Sequence, residues 1–239
     1  MSASLAGQTV VVIGGASGIG YGVAEAAQAQ GARVIIGSSQ PANVTAAVAR
    51  LGGAATGQAI DVTDEASVAA FFAAQGGLDH LVFTAGDWGA SRGGPPGEID
   101  LAAAQAAFAV RFWGALAVVK HASRIIAPTG SITLTDGMMA HRPMKGAAVS
   151  TAMLGAIEHL TQGLAVDLAP IRVNCVCPGL ILTERNARMG PDMLKAYTAR
   201  SPLARPGAPA EVAQAYLYLM AGGYTTGQIL RVDGGGSVV

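Results

Sequence analysis

The glycine-rich stretch "IGGASGIG" is the first part of the chain whose residue types and spacing could do chemistry. Glycines let a backbone approach a bound group closely, and the free amides at a helix N-terminus favour negative charge such as a pyrophosphate. The apolar run "TVVVIGG" leads into these glycines, and a helical pattern follows them. This order predicts that Gly14, Ser17, Gly18, Ile19 and Gly20 bind a nucleotide, although the glycines alone would also suit an unliganded turn.

Two further segments suit the adenosine half of a dinucleotide. In "GQAIDV", Asp61 can accept a hydrogen bond from an adenine amino group and Val62 can pack on the ring. The second apolar run ends in "VIIGSSQP", where NAD-specific sites place an acid that binds both ribose hydroxyls. No acidic residue occurs between Glu25 and Asp61, and Ser38 and Ser39 can donate to a 2′-phosphate. We therefore predict NADP(H) over NAD(H), with NAD(H) still possible because no Arg or Lys replaces the acid.

Apolar, β-branched runs that alternate with Ala-rich helical stretches are the elements that must position these residues. The pattern continues through "LDHLVFTAG", "SITLTDG", "IRVNCVCPG" and "QILRVDGG". Uniformly apolar strands separated by helices indicate a parallel sheet covered on both faces. We predict an α/β fold, a Rossmann-type doubly wound parallel sheet with helices on both faces. A chain of 239 residues with 51% hydrophobic and 13% charged residues fits a single domain over 1–239.

Composition and charge argue against several other classes of function. Fifteen basic residues balance fifteen acidic ones, so no charged surface favours nucleic acid. The start lacks a basic leader and no apolar run approaches ~18 residues, which predicts a cytoplasmic protein with no membrane partner. Cys175 and Cys177 lie too close for an unstrained disulfide and are interpreted as core residues. No clustered His, Cys and carboxylate spacing supports a metal site, so none is predicted.

Five motifs occur in order from Gly14 to Gly235: G-x-x-x-G-I-G, "DV", "TAG", "RVN-x-V-x-PG-x-x-x-T" and a terminal "TGQ-x-L-x-VDGG". Each is loose by itself, but in this order and spacing the chain resembles a single-domain short-chain dehydrogenase/reductase. The resemblance implies a small-molecule substrate, a substrate loop at about 184–206, and assembly as a homotetramer or homodimer. It also implies that two further groups contact the cofactor: Ala85 and Gly86 at the adenine ribose, and Pro178, Gly179, Ile181 and Thr183 at the nicotinamide carboxamide.

The family's proton machinery has no counterpart in this chain. The resemblance implies a Tyr proton donor, a Lys four residues later, a Ser thirteen residues before the Tyr, and an Asn on the preceding long helix. Counting back from "LAVDLAPIRVN" places Ser150 at the Tyr position, Leu154 at the Lys position and Gly137 at the Ser position. Arg111, in "FAVRFWGAL", falls at the Asn position. We therefore predict a nucleotide site that is kept beside an atypical active site.

Three residues are the catalytic candidates that remain. Ser150 is a far weaker acid than a phenol of pKa ~10, so it is a poor donor. Arg111 could supply fixed positive charge for a ribose or an oxyanion, and Asp136 could supply a carboxyl group. A structural ion pair between Arg111 and Asp136 is an equally good interpretation. His141 and Lys145, in the loop that lines the substrate cleft of relatives, are titratable but fit exposed loop residues better.

These observations predict an NAD(P)(H)-binding oxidoreductase with a non-standard proton path. Such an enzyme would reduce a carbonyl or imine group of a small, apolar substrate, and the motif "PGLILT" on the nicotinamide side favours this hypothesis. Two alternatives stay open. One is a catalytically silent nucleotide-binding subunit or sensor, and the other is a cyclase or lyase on the same scaffold.

Overall fold

The computed structural model of the protein describes residues 4–86, 94–184, 186–199 and 201–239. Seven parallel strands form one sheet in the order β3-β2-β1-β4-β5-β6-β7. The strands are β1 (Thr9–Ile13), β2 (Arg33–Ser38), β3 (Thr56–Ala59), β4 (Leu78–Phe83), β5 (Ile126–Thr135), β6 (Arg172–Pro178) and β7 (Ile229–Val232). This arrangement confirms the predicted parallel α/β sheet. The strand order reverses between β1 and β4, which opens a crevice at their carboxyl ends.

Helices cover both faces of the sheet. They are α1 (Gly18–Ala29), α2 (Pro41–Leu51), α3 (Glu65–Ala73), α4 (Leu101–Phe108), α5 (Ala115–Ala122), α6 (Ala148–Asp167), α7 (Pro191–Thr198) and α8 (Pro209–Ala221). One face packs strand residues such as Leu81 and Leu134 against α3, α5 and α6. The other packs Val12 and Val176 against α1 and α8. The predicted substrate loop at 184–206 contains α7, while Arg185 and Arg200 lie outside the described residues.

The long helical stretch Leu101–Ala122 was not anticipated as an apolar segment. Its 22 residues have a mean hydropathy of 1.5, which is long and apolar enough to cross a membrane by length and composition alone. Gln105 and Arg111 interrupt it, so it does not read as one apolar run in the sequence. Core helices of soluble proteins pass the same test, and one such stretch is weak evidence for a membrane span. Between α4 and α5 the stretch continues as a π-helical segment, Ala109–Gly114.

Candidate cofactor and active site

The glycine loop sits at the crevice between β1 and β4, at the N-terminus of α1. Gly14 has φ +87°, and a Cβ there would lie 2.6 Å from the backbone nitrogen of Ala85. A Cβ on Gly20 would lie 2.3 Å from the carbonyl oxygen of Gly14. Side chains are excluded at both positions by backbone, so the loop holds its shape against the end of β4. Gly18, with φ +55°, begins α1 and presents its amide at the positive end of the helix dipole.

Glu184 already places a carboxylate at this helix N-terminus. The amide of Gly18 donates to Oε2 of Glu184 at 3.1 Å, and the preceding Thr183 packs over Gly18. An anion is what a helix N-terminus favours, and a cofactor pyrophosphate would compete for the same amide. Glu184 was not singled out from the sequence, although it directly follows the last residue of the motif assigned to the nicotinamide side.

Glu184→Gln is therefore expected to tighten the binding of NADPH by about two- to five-fold, because a like charge is removed from an exposed phosphate site. Calorimetric titration measures the effect. Asp167→Asn removes the same charge from the far end of α6 and should leave the dissociation constant unchanged. Weaker binding by Glu184→Gln would show that the carboxylate does not compete with phosphate.

The residues assigned to the adenosine side lie at or just after the ends of β2 and β3. Oδ1 of Asp61 accepts hydrogen bonds from the amide and the hydroxyl of Thr63, and these bonds lower the pKa of Asp61. The carboxylate is thus ionised and oriented. Val62 is buried beside the π-helical segment, where its side chain leaves no room for a Cβ on Gly114. Ser38 ends β2, and Ser39 follows it in an exposed position before α2.

The predicted nicotinamide side is built by the carboxyl end of β6 and the segment that follows. Pro178 ends that strand, and a Cβ on Gly179 would lie 2.7 Å from the Cα of Asp233. Ile181 is buried and bridges to Gly207, which anchors the segment in the fold. These contacts leave Thr183 half-buried over the glycine loop. The two groups of residues assigned to the cofactor from the sequence therefore lie around one crevice.

The positions assigned to the family's Ser and Lys are neighbours in space, and both are apolar. A Cβ on Gly137 would lie 3.5 Å from Cδ1 of Leu154, an ordinary van der Waals contact. Leu154 is fully buried on α6, and Ser150 is half-buried in the first turn of the same helix. Neither Gly137 nor Leu154 can donate a proton from its side chain. The two side-chain positions are therefore surrounded by hydrocarbon.

The side chain of Arg111 lies against Gly86, just after the end of β4. The residue is 6% exposed, and its guanidinium is so close to Gly86 that a Cβ there would lie 2.4 Å from Nη2. Its backbone belongs to the π-helical segment, an irregularity that is frequent at functional sites. This placement puts a fixed positive charge beside a residue assigned to the cofactor ribose.

Asp136, at the end of β5, is not paired with Arg111. The residue is 2% exposed, and neither carboxylate oxygen has a hydrogen-bond partner among the described residues. The ion pair that the sequence left open is therefore not formed. Burial, together with the nearby Glu158, raises the pKa of Asp136 to about 8.

Asp136 instead belongs to a cluster of four side chains that we call the β5–α6 cluster: Asp136, His141, Glu158 and Cys177. One ligand-type atom from each lies within 4.8 Å of all the others. The sequence analysis predicted no metal site because no potential ligands are clustered along the chain. The fold brings four of them together, so that argument does not hold. Cys177, interpreted from the sequence as a core residue, belongs to this cluster, whereas Cys175 lies in the hydrophobic core as predicted.

An apolar cavity of about 450 Å³ adjoins the loop after β5. Its apolar lining includes Met138, Met139, Met144, Leu180, Leu203 and Val232. Arg142 also lines it, with Nη1 donating to the carbonyl oxygen of Gly236 at 2.6 Å. Lys145 is exposed, as expected of a loop residue, while His141 is half-buried in the β5–α6 cluster. A cavity of this size and lining suits a small, hydrophobic organic molecule.

Comparison with known proteins defines the class. The family model described as enoyl-(acyl carrier protein) reductase matches residues 14–237. The short-chain dehydrogenase/reductase ATR9 of Stachybotrys chlorohalonatus is 34% identical, over 97% of this chain and 98% of its own length. The chain belongs to the short-chain dehydrogenase/reductase family.

Two solved structures extend this likeness. A small-chain dehydrogenase in complex with NADPH has a TM-score of 0.83 and 34% identity, covering 97% of this chain and 99% of its own. The MalC reductase/Diels–Alderase from Malbranchea aurantiaca has a TM-score of 0.90 and 31% identity, with 98% of both chains covered.

Proposed function

We propose that this chain is an NAD(P)H-dependent reductase that transfers hydride to a C=N or C=O carbon without a tyrosine–lysine pair. The position of the Leu154 side chain next to Gly137 carries the proposal, because two positions assigned to the proton-transfer groups are apolar beside the glycine-loop crevice. An iminium carbon accepts hydride with no proton to follow, since the nitrogen is protonated before the reaction. A ketone needs a proton as its oxygen becomes an alkoxide.

Rough magnitudes support retention of hydride transfer. Positioned acid–base catalysis contributes roughly 10²–10⁴-fold. Holding a substrate carbon against the nicotinamide can contribute about 7–11 kcal/mol through proximity and orientation. The larger of the two contributions needs only the crevice and the cavity. Arg111, buried against Gly86, would add fixed positive charge on the ribose side, and Ser150 would line the site without donating a proton.

NADP(H) is the cofactor we propose. The support is the serine pair at the end of β2, the missing acid there, and a structural relative solved with NADPH. Assembly as a homodimer or homotetramer is part of the same proposal. Only 28% of the most apolar part of Leu101–Ala122 is buried within one chain, and Trp113 in this stretch is 60% exposed, so a second copy would cover it.

A cyclisation on the same scaffold is the second candidate. The apolar, Met-lined cavity would enclose a hydrophobic substrate, and one relative is described as both a reductase and a Diels–Alderase. In that reaction the cofactor would stay unchanged. The proposals differ in whether NADPH is consumed.

Single-turnover mixing of the NADPH-bound protein with paired cyclic imines and ketones of equal ring size tests the proposal. We expect loss of NADPH absorbance with the protonated imines and at least about 100-fold slower loss with the ketones, the range of a missing general acid. Equal rates of NADPH oxidation with imines and with ketones would show that a proton donor is present despite the apolar residues Gly137 and Leu154. Product formation without loss of NADPH would favour cyclisation, and no reaction at all would favour a silent subunit.

A further inference from the structure

The β5–α6 cluster draws its four side chains from separate parts of the fold. Asp136 follows β5, His141 lies in the loop beyond it, Glu158 lies on α6, and Cys177 lies near the end of β6. Their ligand-type atoms lie within 4.8 Å of one another. We propose that this cluster binds one divalent transition-metal ion of the zinc class. The proposal does not depend on which reaction the crevice performs.

The buried carboxyl group of Asp136 is the observation that points to a ligand. At 2% exposure, neither of its oxygens has a hydrogen-bond partner among the described residues. Oε1 of Glu158 and Nε2 of His141 are buried next to it, but these two atoms lie 2.6 Å apart and are partners of each other. Buried polar groups normally have partners, since an unsatisfied one costs free energy. A cation bound next to this pair would give the Asp136 carboxyl group the partner that it lacks.

The types of donor atom select the class of metal. Imidazole nitrogen and thiolate sulfur suit Zn²⁺ and its neighbours, and carboxylate oxygen is a common further ligand. Mg²⁺ and Ca²⁺ prefer sets made of oxygen alone. Binding releases the protons of the Cys177 thiol and of the Asp136 carboxyl group, because the metal takes the thiolate and the carboxylate. Four protein ligands make a closed site, so the ion would be structural and would hold the loop after β5 against α6.

Arg231 determines which ring nitrogen of His141 carries the proton before a metal binds. Its Nη2 lies 3.1 Å from Nδ1 of His141, and an arginine can only donate. Nδ1 is therefore the acceptor and Nε2 carries the proton, facing Glu158. A metal at Nε2 requires that proton to move to Nδ1 and the exposed Arg231 side chain to turn away. Arg231 thus opposes the metal, and Arg231→Gln should bind it more tightly.

The test uses the intact protein, freed of metal with a chelator and then titrated with Co²⁺ or Zn²⁺. We expect one Co²⁺ per chain, with the visible absorption of a tetrahedral site and a thiolate-to-cobalt charge-transfer band that Zn²⁺ displaces. Cys177→Ala should abolish the charge-transfer band and weaken binding at least about tenfold, the smallest effect usual for changes around a metal. His141→Ala, in the loop, gives a second ligand variant that leaves the sheet untouched.

Cys175→Ala is the matched control, because Cys175 is an equally buried thiol in the same strand that neighbours Asp136 but is not one of the four ligands. It should keep both the band and the affinity. The proposal fails if neither ion binds with one-to-one stoichiometry at micromolar concentrations. It also fails if Cys177→Ala and Cys175→Ala bind Co²⁺ alike. An infrared carboxylic-acid band that is insensitive to added Zn²⁺ and absent in Asp136→Asn would show that a proton occupies the cluster instead.

Discussion

Gly18→Val is expected to reduce NADPH affinity by at least about 100-fold, which corresponds to ~2.7 kcal/mol. Gly18 has φ +55°, a conformation that a β-branched residue rarely adopts, and its added Cβ would lie 3.2 Å from Cγ2 of Thr183. The side chain would also occupy the space that a pyrophosphate needs next to the amide of Gly18. Isothermal titration calorimetry with NADPH and NADH measures the loss.

Gly7→Val is the matched control for this change. Gly7 also has a positive φ, +78°, but an added Cβ would meet nothing within 4 Å. The residue precedes β1 and thus lies at the opposite edge of the sheet from the crevice. The Gly7→Val variant should carry the same kind of backbone strain but keep the wild-type dissociation constant for NADPH. Equal affinities for Gly18→Val and the wild type would refute the assignment of the glycine loop.

Acidification from pH 6.5 to pH 4 is expected to cost about 3 kcal/mol of stability through His80 alone. Burial, followed by the charge of Arg172, lowers the pKa of His80 from 6.5 to about 4. Its ring lies between Oγ of Ser131 at 2.8 Å and Oε1 of Gln8 at 3.2 Å, so the neutral form is well partnered. The unfolded chain binds a proton near pH 6.5 and the folded one does not. The contribution of neutral His80 to the free energy of unfolding is therefore fully present above pH 6.5, and it is lost as the pH falls to about 4.

His80→Asn isolates this contribution, because asparagine does not titrate. Urea unfolding at pH 7 and at steps down to pH 4 gives the free energy of unfolding of each protein. We expect the wild type to lose about 3 kcal/mol more than the variant over this range. Parallel pH profiles of the two proteins would mean that the histidine is not held neutral by its surroundings.

The sequence was sufficient for the sheet and for the glycine loop at its crevice because both follow from local patterns. Apolar runs separated by helical stretches predict parallel strands, and Gly14 and Gly20 are needed wherever backbone contacts backbone, as the structure shows. The placement of Ser38, Asp61 and Thr183 around the crevice then follows from the rule that ligands bind at the carboxyl ends of parallel strands.

The β5–α6 cluster could not be predicted in this way. Its members are separated by as many as 41 positions in the chain, from Asp136 to Cys177, and meet only because α6 packs over β5 and β6. One weak signal exists, since Glu158 lies four residues after Leu154 and therefore on the same side of α6. The contact of Gly18 with Glu184 also depends on how one loop folds back over another.

Transfer of deuterium tests the central claim most directly. The protein is loaded with NADPH that carries two deuterium atoms at C4 and mixed, in a single turnover, with a cyclic imine that is protonated in solution. The account predicts an amine that carries one deuterium at the former C=N carbon, formed together with NADP⁺, while Gly18→Val gives none. Unchanged deuterated NADPH after complete binding of both cofactor and imine, across imines and ketones of several ring sizes, would contradict the assignment of a hydride-transferring reductase.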